Sequence, residues 1–105
     1  MAIVPNRVQQ IVDRYLRALQ KNNIPVKQAV LFGSYAIGDF DKYSDIDIAL
    51  VSEIFDGNRF EDRGKIRKIN LSISSDLEVM PFKPKDFTPA DPLVKEILES
   101  GVRIA

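Results

Sequence analysis

Cysteine and histidine are both absent from the 105 residues. Without cysteine there is no disulfide and no thiolate metal site. Without histidine there is no imidazole base, no triad built on one and no typical zinc site. Acid–base or metal chemistry must therefore rest on carboxylates, lysines or tyrosines. Net charge is missing too: fifteen Lys and Arg balance fifteen Asp and Glu. That speaks against a globally basic nucleic-acid binder and against nucleic acid as a direct substrate. No apolar run approaches the roughly 18 residues of a membrane span, and the amino terminus lacks the apolar core of a signal peptide. The expectation is a cytoplasmic protein with no membrane association. The length predicts one domain over residues 1–105, and an apolar fraction of 45% supports one modest core.

What the sequence does hold is concentrated in residues 32–51, FGSYAIGDFDKYSDIDIALV. An apolar strand, Val26 to Phe32, ends at Gly33-Ser34. Ten residues then separate Ser34 from Asp45. Asp45 and Asp47 lie one residue apart at the mouth of a second apolar strand that runs to Val51. Residues two apart on a strand share a face, so both carboxylates aim one way and Ile46 and Ile48 the other. Two ionised carboxylates this close repel each other, and a hard divalent cation such as Mg²⁺ is the usual compensator. Gly33 permits positive φ or a close backbone approach. Ser34 reads either as the N-cap of a short helix or as part of an anion-holding turn. Those readings are compatible, because a helix start presents free N–H groups. The plainer alternatives are an ordinary turn glycine and two hydrated acids at a solvent edge.

The rest of the chain reads as scaffold. Val4, Val8, Ile11, Val12, Tyr15, Leu16 and Leu19 recur at helical spacing, and Asn22-Asn23 with Pro25 stops that helix. Residues 38–44 form a polar loop in which Asp39 and Asp41 shape turns and Ser44 tethers the chain ahead of Asp45. A helix is predicted from about Arg59, with Phe60, Ile66, Ile69 and Ile73 as its buried stripe and Gly64 weakening it by about 1 kcal/mol. Its Arg59, Arg63, Lys65, Arg67 and Lys68 make either a solvated face or a basic wall for a triphosphate or an acidic partner. Residues 70–75 fit helix or strand. Asp76 to Phe82 predicts a third strand, with Asp76, Glu78 and Met80 on one face. Asp91-Pro92 starts a short helix that Gly101 ends, and residues 102–104 suit an edge strand.

Gly33-Ser34 followed by Ser44-Asp45-Ile46-Asp47-Ile48 resembles the signature of the nucleotidyltransferase superfamily typified by DNA polymerase beta. The ten-residue gap is similar to that of the minimal nucleotidyltransferases, small members often encoded beside a HEPN-type partner as the antitoxin half of a toxin–antitoxin pair. The resemblance implies a small α+β domain of α/β type, a mixed central sheet flanked by helices. It implies that Asp45, Asp47 and a third carboxylate, Glu78 or else Asp76, hold two Mg²⁺ ions and act in catalysis. Gly33, Ser34 and Ser44 would bind the nucleotide. The implied reaction moves a nucleoside monophosphate, AMP from ATP, onto a hydroxyl of a HEPN-type protein. Two departures stand out: Tyr35-Ala36-Ile37 occupies the stretch where relatives often carry arginine, and no further helical domain follows to grip an acceptor. A contact-only antitoxin without catalysis is the alternative, and a small-molecule acceptor a third. A homo-oligomer stays open.

Overall fold

Helix α1 (Asn6–Lys21) leads into strand β1 (Gln28–Phe32), and a single turn, α2 (Ser34–Ile37), leaves β1 at its end. Strand β2 (Ile46–Val51), helix α3 (Arg59–Ile73) and strand β3 (Leu77–Phe82) follow. A 3-10 turn (Pro84–Asp86), helix α4 (Pro92–Ser100) and a short β4 (Val102–Arg103) complete the computed structural model, which describes residues 4–105. The four strands make one mixed sheet in the order β3-β2-β1-β4. β1 runs antiparallel to β2 and β4, and β2 runs parallel to β3. That parallel pair needs a crossover, which α3 supplies.

Strand alternation sorts the side chains into two layers. Ala29 and Leu31, Ile46, Ile48 and Leu50, and Val79 face the α1 and α3 side, where Val8, Val12, Tyr15, Leu19 and Ile66 meet them. Val30, Ala49, Val51 and Phe82 face the other side, against Val94 and Ile97 of α4. Helices α1 and α3 thus cover one face of the sheet, and α4 covers part of the other. Asp47 and Glu78 belong to the partly covered face, at the end that α4 does not reach.

Several boundaries move from the sequence reading. β1 starts at Gln28 rather than Val26, because the ladder begins where Gln28 pairs with Val51, the last residue of β2; before it only the Lys27 amide reaches across, to the Val51 carbonyl at 2.9 Å. Residues through Ile73 are helical, which settles the ambiguity at 70–73. Phe60 is not in the buried stripe: it is 89% exposed, whereas Ile66 is fully buried and Ile69 and Ile73 pack at the core margin. Phe60 lies six residues before Ile66, about 240° around the helix at 3.6 residues per turn, and so falls outside the stripe that Ile66 sets. Lys65 does not join a basic wall. It bridges Asp56 at 2.8 Å and the buried Asp62 at 3.1 Å.

Asp62 is the residue that sequence reasoning passed over. Its carboxylate accepts hydrogen bonds from the Asp56 and Gly57 amides, at 3.0 and 2.9 Å. Burial acts to raise its pKa, but those two amides and then Lys65 outweigh burial and hold the carboxyl below its usual range. The network fixes the β2–α3 loop. Asn58 caps α3 beside it, accepting from the Glu61 amide.

Candidate active site

The site is the sheet end where β1 finishes and β2 and β3 begin. Antiparallel pairing sets Phe32 beside Asp47, so Gly33 follows at the rim directly next to that carboxylate. Parallel pairing sets Glu78 beside Asp47 on the other flank. Asp45 stands one residue outside β2, exposed, on the same face by alternation. Asp45, Asp47 and Glu78 are therefore brought to one end of one face by three backbone facts: one strand register on each side and a period of two.

Gly33 is required twice over. Its φ is +74°, a left-handed value that a side chain resists. A Cβ there would also collide with Asp47 Oδ2 and lie 3.1 Å from Asp47 Cγ. The Asp47 carboxylate thus packs against bare backbone at the turn. The expected cap is corrected: Gly33, not Ser34, holds the N-cap position of α2, and Ser34 is the first helical residue with its side chain free of capping. The reason is the positive φ, which glycine alone adopts readily. The Gly33 carbonyl takes up the Ala36 and Ile37 amides at 3.1 and 3.2 Å. The amides of Ser34 and Tyr35 precede the first closed turn and have no helix partner. Tyr35 is buried in the α1-side core and ties the turn down.

The loop between α2 and β2 is braced from within. Tyr35 donates through its hydroxyl to the Asp41 carbonyl at 3.3 Å, and its ring lies 4.7 Å from that of Phe40. Asp41 accepts from the Tyr43 amide at 2.7 Å, and Ser44 Oγ accepts from the Asp41 amide at 3.0 Å. Ser44 thereby holds the loop just before Asp45, as the sequence suggested, and its hydroxyl hydrogen stays available.

Asp47 titrates above the usual carboxylate range. Burial contributes most, then the charge of Asp45, then that of Glu78. Asp76 plays no part in that shift. Its Oδ2 lies 2.6 Å from Arg7 Nη2, so it is tied to α1. Asp76 is thereby taken off the face that the sequence reading gave it, because Arg7 stands on the helix against the opposite side of the sheet. Glu78 is exposed, with Arg63 Nη2 at 4.0 Å from its carboxylate. Among the described residues no three acidic side chains are gathered closely enough to enclose a cation. The donor set nevertheless fits one in chemistry: oxygen ligands only, mutually repelling, beside a half-buried carboxylate whose ionisation is unfavourable without a countercharge.

The sequence profile of a nucleotidyltransferase domain family matches residues 12–104. No individual curated protein sequence matches the chain. Among solved structures, a chain of a toxin–antitoxin complex with AMP-PNP is similar at a TM-score of 0.63 and 24% identity, over 90% of this chain and 72% of its own. A Sulfolobus solfataricus protein provisionally described as a nucleotidyltransferase is similar at 0.63 and 18%, over 91% and 77%. A chain from the complex of tri-AMPylated Shewanella oneidensis HEPN toxin with MNT antitoxin is similar at 0.59 and 22%, over 93% and 71%. These likenesses agree with the small mixed-sheet α+β fold.

Proposed function

The chain belongs to the nucleotidyltransferase domain family, and from that premise we propose that it transfers AMP from ATP to a hydroxyl of a cognate HEPN-type protein in the cytoplasm. The single observation that carries the reading is the register placing Asp47 between Gly33-Ser34 and Glu78, with Asp45 one step outside. Support for the acceptor comes from the AMPylated HEPN toxin in one structural relative, and for the nucleotide from the AMP-PNP in another.

In this reading the acceptor oxygen attacks the α-phosphorus of ATP. The bond from that phosphorus to the bridging oxygen breaks, and pyrophosphate leaves. The acceptor proton passes to a Glu78 carboxylate oxygen. Gly33 and Ser34 hold the β- and γ-phosphates through backbone amides and the free Ser34 hydroxyl, and Ser44 offers a further hydroxyl at the mouth. Asp45, Asp47 and Glu78 would hold two Mg²⁺ ions, which supply positive charge to the attacking and leaving oxygens. Burial and the charges of Asp45 and Glu78 raise the Asp47 carboxyl, and a cation there would offset that repulsion.

The test is transfer of label from α-phosphate-labelled ATP to the purified HEPN-type protein with Mg²⁺. Wild type labels the partner, and Asp47→Asn loses at least about 100-fold in rate. A second reading is neutralisation of the partner by contact alone; among the described residues the acids are not gathered into a cation cage. Under that reading no label is transferred, and Asp47→Asn inhibits the partner at full strength.

A further inference from the structure

α3 carries exposed features beyond those that its packing and the chemistry above use, although Arg59 lies over the Phe82 ring at 5.5 Å. Arg59, Arg63 and Arg67 recur every four residues and stand exposed along one side of the helix. Phe60 and Leu71, 89% and 61% exposed, flank them. Together with β3 they line an open groove of about 840 Å³ that reaches Glu78. β3 is the edge strand of the sheet. Gly64 lies in this groove, in the interior of the helix, and a Cβ added to it would meet nothing within 4 Å. A mid-helix glycine costs about 1 kcal/mol relative to alanine. Its φ is ordinary and no neighbour crowds it, so the folded monomer gains nothing from it. What glycine provides at such a position is close approach by another backbone.

We propose that the α3–β3 groove docks an acidic segment of the acceptor protein that also carries apolar side chains, seating its backbone over Gly64 and leading its hydroxyl toward Glu78. The three guanidinium groups call for a negatively charged occupant. Asp62 is buried and Arg63 reaches Glu78 only at 4.0 Å, so the stripe is not neutralised from within. Exposed Phe60 and Leu71 call for apolar side chains on the same segment, which a nucleic-acid backbone lacks. The groove ends at a site carboxylate, so a segment lying in it arrives at the place of transfer. The docking face rests on the proposed transfer only in taking the acceptor to be a protein.

The test is direct binding of the HEPN-type protein to wild type, Arg67→Glu, Gly64→Leu and Gly64→Ala, alongside titration with Mg²⁺ and AMP-PNP. Arg67→Glu and Gly64→Leu each weaken partner binding at least about tenfold, and AMP-PNP binding stays within twofold. Gly64→Ala melts higher than wild type, so a loss of partner binding in that variant cannot come from unfolding. Unchanged partner affinity in Arg67→Glu and Gly64→Leu overturns the docking face while leaving the transfer reading intact. Partner binding that falls in both variants, with no label transferred by wild type, upholds the docking face and sinks the transfer. Tighter binding of wild type to a mixed-sequence RNA oligonucleotide than to the protein, lost in Arg67→Glu, overturns the protein occupant.

Discussion

Gly33 carries a steric demand and an electrostatic one at the same point. Its positive φ and the Asp47 oxygen against it leave no space for a methyl group. Gly33→Ala is expected to destabilise the fold by about 1–3 kcal/mol, read by chemical denaturation, and to abolish nucleotide binding by displacing Asp47. Asp47 is the complementary case. Its carboxyl is raised by burial and by the charges of Asp45 and Glu78, so ionisation works against the fold. A carboxyl whose folded pKa is raised takes stability away as pH climbs through and above its ordinary range. Asp47→Asn should therefore stabilise the metal-free chain at neutral pH, by about 1 kcal/mol at most, and remove that pH dependence. Added Mg²⁺ should raise the melting temperature of wild type and leave that of Asp47→Asn unchanged. The pattern to look for is a variant that is better folded and inactive.

At the scale of elements, the β2–α3 junction depends on Asp62. Its depressed carboxyl contributes stability that is present above the ordinary aspartate range and is lost as pH falls through that range, below about 4. Asp62→Ala leaves the Asp56 and Gly57 amides without their acceptor and should cost about 2 kcal/mol at pH 7, read by urea denaturation. The deficit should shrink as pH is lowered toward 3. The sequence announced this junction poorly. Asp62 stands in a helix among charged residues, and nothing in a linear reading distinguishes a buried acid with two amide donors from a solvated one. Phe60 was misread for the related reason that apolar residues at a helix start imitate a stripe that tertiary contacts alone define. The strands were easier. Alternation in Ile46-Asp47-Ile48 assigned both faces of β2 directly, and Asp91-Pro92 and Gly101 marked the ends of α4 as observed. Asp76 and Glu78 were inseparable by spacing, since residues two apart share a parity in the strand read from the sequence; the observed β3 begins at Leu77 and leaves Asp76 just outside it. Only Arg7, remote in sequence at the start of α1, separates them by pairing with Asp76.

For the whole molecule, the decisive feature is that α4 stops short. It seals the half of the sheet face carrying Val30, Ala49, Val51 and Phe82 and leaves the half carrying Asp47 and Glu78 open. An open sheet end with repelling acids and a glycine-serine turn has room for a polyphosphate from one side and an acceptor from the other. In the proposed docking the acceptor approaches along α3, where Gly64 weakens the helix and nothing within the monomer crowds it. The Gly33-Ser34 and Asp45-Ile46-Asp47 pairings carried most of this site in the sequence, because strand geometry converts their spacing into proximity. Nothing in the sequence could give the distance between Arg63 and Glu78 or the width of the groove, which depend on how α3 lies along β3. The most direct measurement of the central claim is the anomalous scattering of Mn²⁺ in crystals grown with AMP-PNP. The account predicts manganese peaks among the Asp45, Asp47 and Glu78 carboxylates, with the β- and γ-phosphates on the Gly33-Ser34 turn. Manganese bound elsewhere, or a triphosphate seated away from that turn, would contradict it.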